Sequence, residues 1–332
     1  MPPTDQTKRI DSLYTLKAVC SFFVVTIHTT FFLKGWFLFI VGVAVPCFLA
    51  ITGYFLYSDS REQELKKCKK GAAKAFKTSL LFFAFYWCIY SALGRHYTCT
   101  DLLINLVTGL KICSPMWYLA ALWEALLLFW LIRKYAPRLI YYLPILVCLT
   151  YTLSTHGASL FCHMNTGTLD ALRLNAIVTA LPCLCIGYLI HKHKDWIFER
   201  INIIVCLSLS LLALIAEEYV SAKYHLPSSY IYLFTYPSVV MILLFCVKFP
   251  HFKIPVLNYI GIHHSANIYY FHMAVFVGLE QIGVLPSRWE TVLVWLACIP
   301  VSMLFNTSTK LLSSLFKRFK GPTDCQNIKN NA

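Results

Sequence analysis

Two ionisable side chains lie in one apolar run: Lys17 and His28, in KAVCSFFVVTIH. Eleven helical steps of about 1.5 Å separate them by roughly 16 Å along the axis. Eleven residues are also close to three whole turns, so both project from nearly the same face. A lysine supplies a cation for an anionic group, and a neutral imidazole accepts a proton or attacks a carbonyl carbon. The pair therefore suits a long, rod-shaped ligand with an anionic end near Lys17 and a reacting end near His28. By the same spacing Ser21 and Val24 share this face, whereas Val25 lies about 100° further round. His272, Glu124 and the lysines Lys74 and Lys77 are the other chemically competent groups beside apolar segments, where polar side chains are costly to place. Arg173, Trp117 and Tyr118 could orient or stack on a second ligand.

The elements that carry these residues are membrane spans. Of 332 residues, 58% are hydrophobic and 13% charged, against about 25% charged in soluble domains. Ten stretches reach the roughly 20 apolar residues that cross a bilayer. They are 13–32, 36–57, 79–94, 116–132, 139–155, 174–190, 201–219, 229–247, 257–283 and 291–312. The fold class is an all-α integral membrane bundle of about ten transmembrane helices. It comprises an N-terminal segment 1–12, one membrane domain 13–312 and a basic tail 313–332, polar and disordered from Gly321. The first run is long, lacks a small-residue cleavage site and contains Lys17 and His28, so it is not a cleaved signal peptide.

The net charge is +14, and the distribution of the bases among the loops predicts orientation. Both termini in the cytoplasm put 23 of the 29 bases there, including the seven between Arg61 and Lys77. Lys34, Arg95, Lys111, Arg173, Lys223 and Arg288 remain outside. No basic water-soluble face for nucleic acid is visible. Most of the 14 cysteines fall in apolar runs and behave as small hydrophobes. Cys99, Cys113 and Cys162 fall in outer loops, and no zinc spacing or disulfide framework appears.

The motif of a base, ten residues and a histidine in the first span resembles the signature of the membrane acyltransferase type 3 family, which includes bacterial polysaccharide O-acetyltransferases. VPCFLAITGYFLY (45–57), followed by KKCKKGAAKAFK, is similar to that family's Phe-rich Ser/Thr-Gly-Tyr segment and basic stretch. MWYLAAL (116–122), LPCLCIGYLI (181–190) and HSANIYYFH (264–272) resemble family segments in the same order, so the resemblance spans essentially the whole chain. Lys17 stands where Arg is commoner and Thr52 where Ser is usual. No extracytoplasmic hydrolase-like domain follows, as in the minimal members.

The resemblance implies acyl transfer from cytoplasmic acyl-CoA, acetyl-CoA above all, to a hydroxyl of a cell-envelope carbohydrate or glycolipid. The setting is the lipid of a bacterial inner membrane, without a metal. Lys17, Lys74 and Lys77, with Lys70, would hold the CoA phosphates. His28, joined by His272, would deprotonate the acceptor hydroxyl or form a transient acyl-imidazole. Trp117, Tyr118, Glu124 and Arg173 would meet the acceptor. Other readings of the same residues are a snorkelling Lys17, a helix-contact His28, a neutral structural Glu124, and an aromatic belt at Trp117 and Tyr118. If the helix carrying His272 begins at Leu257, His272 lies as deep as His28; if it begins at Ser265, His272 is shallower. A transporter of lipid-linked or polysaccharide substrates is the competing function.

Overall fold

The computed structural model describes residues 9–31, 39–154, 157–158, 172–226 and 231–319, with side chains to 314. Lys34, Cys162, the tail from Gly321 and parts of several predicted span ends lie outside these residues. The described residues are helical without strands, 81% helix.

The helices are α1 (Asp11–His28), α2 (Ala44–Leu56), α3 (Arg61–Ala92), α4 (Cys99–Thr108), α5 (Trp117–Tyr135) and α6 (Val147–Thr152). Then come α7 (Leu181–Arg200), α8 (Ile203–Lys223), α9 (Thr235–Lys248), α10 (Pro255–His263), α11 (Ser265–Gln281) and α12 (Glu290–Phe319). Among the described residues, five segments are long and apolar enough to cross a membrane: Phe39–Leu56, Ser114–Tyr135, Ala176–Arg200, Ile203–Lys223 and Glu290–Ser314. Helix α1 falls outside this set, since Asp11, Lys17 and His28 offset its apolar residues.

Three predicted elements differ from the structure. The span at 139–155 is not one helix: 3-10 turns at Pro137–Tyr141 and Leu143–Leu146 precede α6. Pro137 and Pro144 remove backbone donors and favour such short turns over a continuous ladder. The basic stretch 61–77 is not a loop but the first half of α3. Ser60 caps that helix, accepting from the Gln63 amide at 3.5 Å. Glu62 and Glu64 sit in its first turn, where the helix dipole favours acids. The span at 257–283 divides at His264 into α10 and α11.

Side-chain and backbone contacts gather the helix ends into two groups. At one end, Ser12 Oγ donates to Cys246 O and Asn258 Nδ2 to Asp11 O, tying the starts of α1 and α10 to the end of α9. Arg61 donates to the carbonyls of Arg133 and Lys134, joining the start of α3 to the end of α5. Lys67 reaches Tyr57 O beyond α2, and Lys248 lies over the Phe198 ring near the end of α7. This is the basic end. A clamp inside it binds three helices: Glu64, fully buried, accepts from Arg133 Nε at 2.6 Å and from the Tyr188 hydroxyl at 2.9 Å. At the opposite end, Glu290 and Thr291 of α12 meet Thr29 and Thr30 beyond α1.

Close backbone approach between α2 and α7 depends on glycine. A Cβ at Gly53 would lie 2.0 Å from Leu184 O, and one at Gly187 would lie 1.8 Å from Ala50 O. Small residues of this kind let membrane helices pack backbone to backbone. Helix α1 runs through the middle, in contact with α2, α9, α10, α11 and α12. Helices α8 and α12 are peripheral, with Leu209, Leu212 and Leu304 exposed.

Candidate active site

Helix α1 carries Lys17 and His28 into two different cavities. Lys17 lines one of about 160 Å³ with Phe48, Thr52, Tyr118, Ser265 and Tyr269. His28 lines a larger one, about 280 Å³, with Ser114, Trp117, Arg173, Thr179 and Tyr269. The division follows the helices. On α2, Val45 and Pro46 face the His28 cavity, while Phe48 and Thr52 face the Lys17 pocket. At α5 the consecutive residues Trp117 and Tyr118 part ways, the first to the His28 cavity and the second to the Lys17 pocket.

His28 occupies the last position of α1, and the chain beyond it is fastened to α12. Thr30 N donates to Glu290 Oε2 at 2.8 Å, the Thr29 and Thr291 hydroxyls meet at 2.6 Å, and Thr291 N donates to Thr30 O at 3.2 Å. His272 lies beside it, ring centroids 5.4 Å apart and planes inclined by 32°. Although α11 starts at Ser265, only seven residues before His272, the two imidazoles are at one level. Helix α10 leads directly into α11, the His264 amide bonding to Ile260 O and the Ile268 amide to His264 O, so depth is not set by where the regular helix begins.

His272 is fully buried, and its Nδ1 lies 2.7 Å from Tyr269 O. A carbonyl only accepts, so Nδ1 carries the proton and the neutral ring keeps Nε2 as an acceptor. Among the described residues Nε2 is buried without a hydrogen-bond partner, the state of a group able to take a proton from a ligand. The helix around His272 is held by Tyr86 of α3. Its hydroxyl donates to Tyr270 O at 2.7 Å and accepts from Ala274 N at 3.3 Å, the two groups a regular helix would join to each other.

The structure does not gather every expected residue. Lys70, Lys74 and Lys77 lie on the exposed side of α3, away from the Lys17 pocket, whose lining among the described residues has Lys17 as its cation. The three lysines are exposed positions of a regular helix. Glu124, seven residues into α5, lines neither cavity. Tyr118 belongs to the Lys17 pocket and not, with Trp117, to the His28 cavity, because successive helical positions diverge by about 100°. Ser21 points away from both cavities: its hydroxyl donates to Ala18 O and accepts from Trp295 Nε1 at 3.0 Å. Val24 does line the His28 cavity, and Val25 is fully buried in a separate cluster with Ala18 and Ile268. Four steps of about 100° leave Ser21 about 40° round from Lys17, and that side of α1 meets Trp295 of α12.

Cys68 offers no alternative nucleophile at the basic end. Burial, followed by the neighbouring Glu64 carboxylate, pushes the Cys68 thiol up to about 12, so it stays protonated and inert. Among the described residues no group of three or more His, Cys, Asp or Glu side chains is placed to hold a metal ion.

A family model described as an acyltransferase domain covers residues 10–309. The chain belongs to the acyltransferase type 3 family. No curated protein and no solved structure matches it. As a membrane acyltransferase, this protein needs a place for an acyl donor and a group that activates the acceptor. Sequence spacing pointed to Lys17 and His28 directly. Tyr86, Glu290 and Tyr269 carried no such signal, being an aromatic among many, an acid at a span end and one tyrosine of an adjacent pair.

Proposed function

We propose that this protein is a CoA-dependent O-acetyltransferase of a bacterial inner membrane, acting on a hydroxyl of a cell-envelope carbohydrate or its lipid-linked precursor. The carrying observation is the axial order of the two cavities, Lys17 in one and His28 in the other, with the buried His272 ring beside His28. In this reading the chain crosses the bilayer ten times with both ends in the cytoplasm, the basic end being the cytoplasmic one. Acyl-CoA enters there and its phosphates meet Lys17. The pantetheine arm, long and thin, runs along α1 and brings the thioester to His28. The acceptor comes from the other side, where Trp117 offers a face for a sugar ring and Arg173 a cation.

The transfer step balances without a further reactant. The acceptor oxygen attacks the thioester carbonyl carbon while its proton passes to an imidazole nitrogen of His28. The carbon–sulfur bond then breaks, and the CoA sulfur leaves with that proton. His272 keeps a neutral Nε2 beside the reacting centre.

The test is acetyl-CoA consumption by the purified protein in lipid, read as free CoA thiol, with and without His28. Turnover lost in His28→Ala supports the reading, and none in the natural protein overturns it. Lipid and glycan profiling of a deletion strain identifies the acceptor. Single cysteines near Lys67 and Lys194 should label from the cytoplasm, and those near Tyr97 and Ser287 from outside; one reversed position changes the span count.

A further inference from the structure

Among the described residues Tyr269 lines both cavities. Its ring meets Tyr118 of the Lys17 pocket edge-on, centroids 5.0 Å apart, and lies 5.9 Å from the His272 ring. Its hydroxyl donates to the carbonyl of Pro115, a residue of the His28 cavity wall. The side chain is 5% exposed, so the phenol occupies the boundary itself.

We propose that the Tyr269 side chain is a movable partition between the two cavities, and that it keeps water and solutes of the His28 side from the Lys17 pocket until a donor arm displaces it. Close packing leaves no room for the ring and a ligand chain in the same passage. Displacement needs the phenol to swing off Pro115 about its own side-chain bonds. The Tyr269 carbonyl, which orients His272, belongs to the α11 backbone and stays in place during that swing. One residue thus holds His272 through its main chain and shuts the passage with its side chain. In the closed position the passage between the two cavities is shut. Once the arm has entered, the thioester is exposed to the His28 cavity alone. Until then the closed ring keeps a donor thioester on the Lys17 side away from the water of the His28 side.

The partition is tested independently of the donor assignment, on which its role in catalysis rests. Thr52→Cys reports the Lys17 pocket and Ser114→Cys the His28 cavity, in the full chain in sealed liposomes and a background lacking reactive native cysteines. A membrane-impermeant thiol reagent is applied to each face in turn. With Tyr269 present, Thr52→Cys should react from the basic side and be protected from the other, and Ser114→Cys the reverse. Tyr269→Ala should expose Thr52→Cys to both sides. Tyr269→Phe, which keeps the ring and loses the bond to Pro115, should raise the rate from the His28 side about fivefold, the effect of a typical net hydrogen bond. Should Tyr269→Ala fail to fold, Tyr269→Phe decides alone.

Without an acceptor, release of CoA thiol from acetyl-CoA should rise several-fold in Tyr269→Phe. Here water attacks the thioester carbon, the carbon–sulfur bond breaks, and acetate and CoA thiol result. Equal labelling of Thr52→Cys from both faces with Tyr269 intact overturns the partition, as does labelling indifferent to replacement of Tyr269. If labelling changes as described but no acetyl-CoA is consumed, the partition stands and the acetyl-CoA reading falls. His28-dependent consumption with indifferent labelling leaves the transferase reading and removes the partition.

Discussion

The Lys17 pocket and the His28 cavity lie on the same helix and share walls from α2, α5 and α11, yet they are built for different tasks. The Lys17 pocket is the smaller, lined by aromatic rings and a lysine. The His28 cavity is nearly twice as large and mixes imidazole, guanidinium, hydroxyl and indole groups. Their supports differ as well. At the basic end, charged side chains such as the buried Glu64 and Arg133 pair hold helices together. Beside His28 the fastening runs through threonine hydroxyls, main-chain groups and the Glu290 carboxylate. The contrast teaches that one cavity is arranged to hold a ligand by charge and shape, and the other to change the chemistry of what reaches it.

Changes to the His28 cavity should therefore lower turnover, and changes to the Lys17 pocket should lower affinity. His28→Ala carries the largest expected effect, a loss of about a hundred- to ten-thousand-fold in kcat. Acetyl-CoA affinity should stay close to that of the natural protein, since the phosphates bind elsewhere. More than a third of normal turnover would remove His28 from the chemistry.

His272→Phe keeps a ring of similar size but has no nitrogen. It should cost roughly a hundredfold in kcat, at the lower end for an acid–base group, again with affinity preserved. A change confined to affinity would make His272 a wall and erase its pairing with His28. Val24→Trp sharpens the contrast sterically. It should fill the His28 cavity and stop turnover while CoA still binds, whereas Ser21→Trp should collide with Trp295 and reduce the yield of folded protein.

Lys17→Ala should raise the KM for acetyl-CoA about tenfold with a much smaller change in kcat, the size of a lost charge-assisted hydrogen bond. Lys17→Arg should restore most of it. A fall in kcat alone would show that the two cavities are not specialised in this way. The smallest effect belongs to Lys74→Ala and Lys77→Ala. Their exposed positions on α3 predict less than a twofold change in KM at physiological salt, as for other solvated charges. A tenfold rise in either would extend the donor site along α3.

Much of this arrangement is legible without coordinates. Helical repeat and the cost of polar groups in hydrocarbon single out Lys17 and His28, because eleven residues on one helix have a fixed rise and nearly fixed direction. The same reasoning marks most of the apolar helices and the basic ends, for hydropathy and charge are properties of local sequence. It is less successful where proline divides a span, as at Pro137 and Pro144, since several short turns have nearly the same composition as one helix.

What the chain determines by itself is thus the membrane setting, the family and the two residues that share a helix. What only the packing of helices decides is the company those residues keep. That His272 stands 5.4 Å from His28 depends on α1 and α11, more than two hundred residues apart in sequence, meeting side by side. That Ser21 turns to Trp295, Glu124 stays outside both cavities and Tyr269 stands between them depends on small rotations of each helix about its axis. Those rotations are fixed by contacts such as Gly53 against Leu184 and Gly261 against Tyr14. Periodicity gives a residue's direction relative to its own helix, and only the neighbouring backbones convert that into a direction in the molecule.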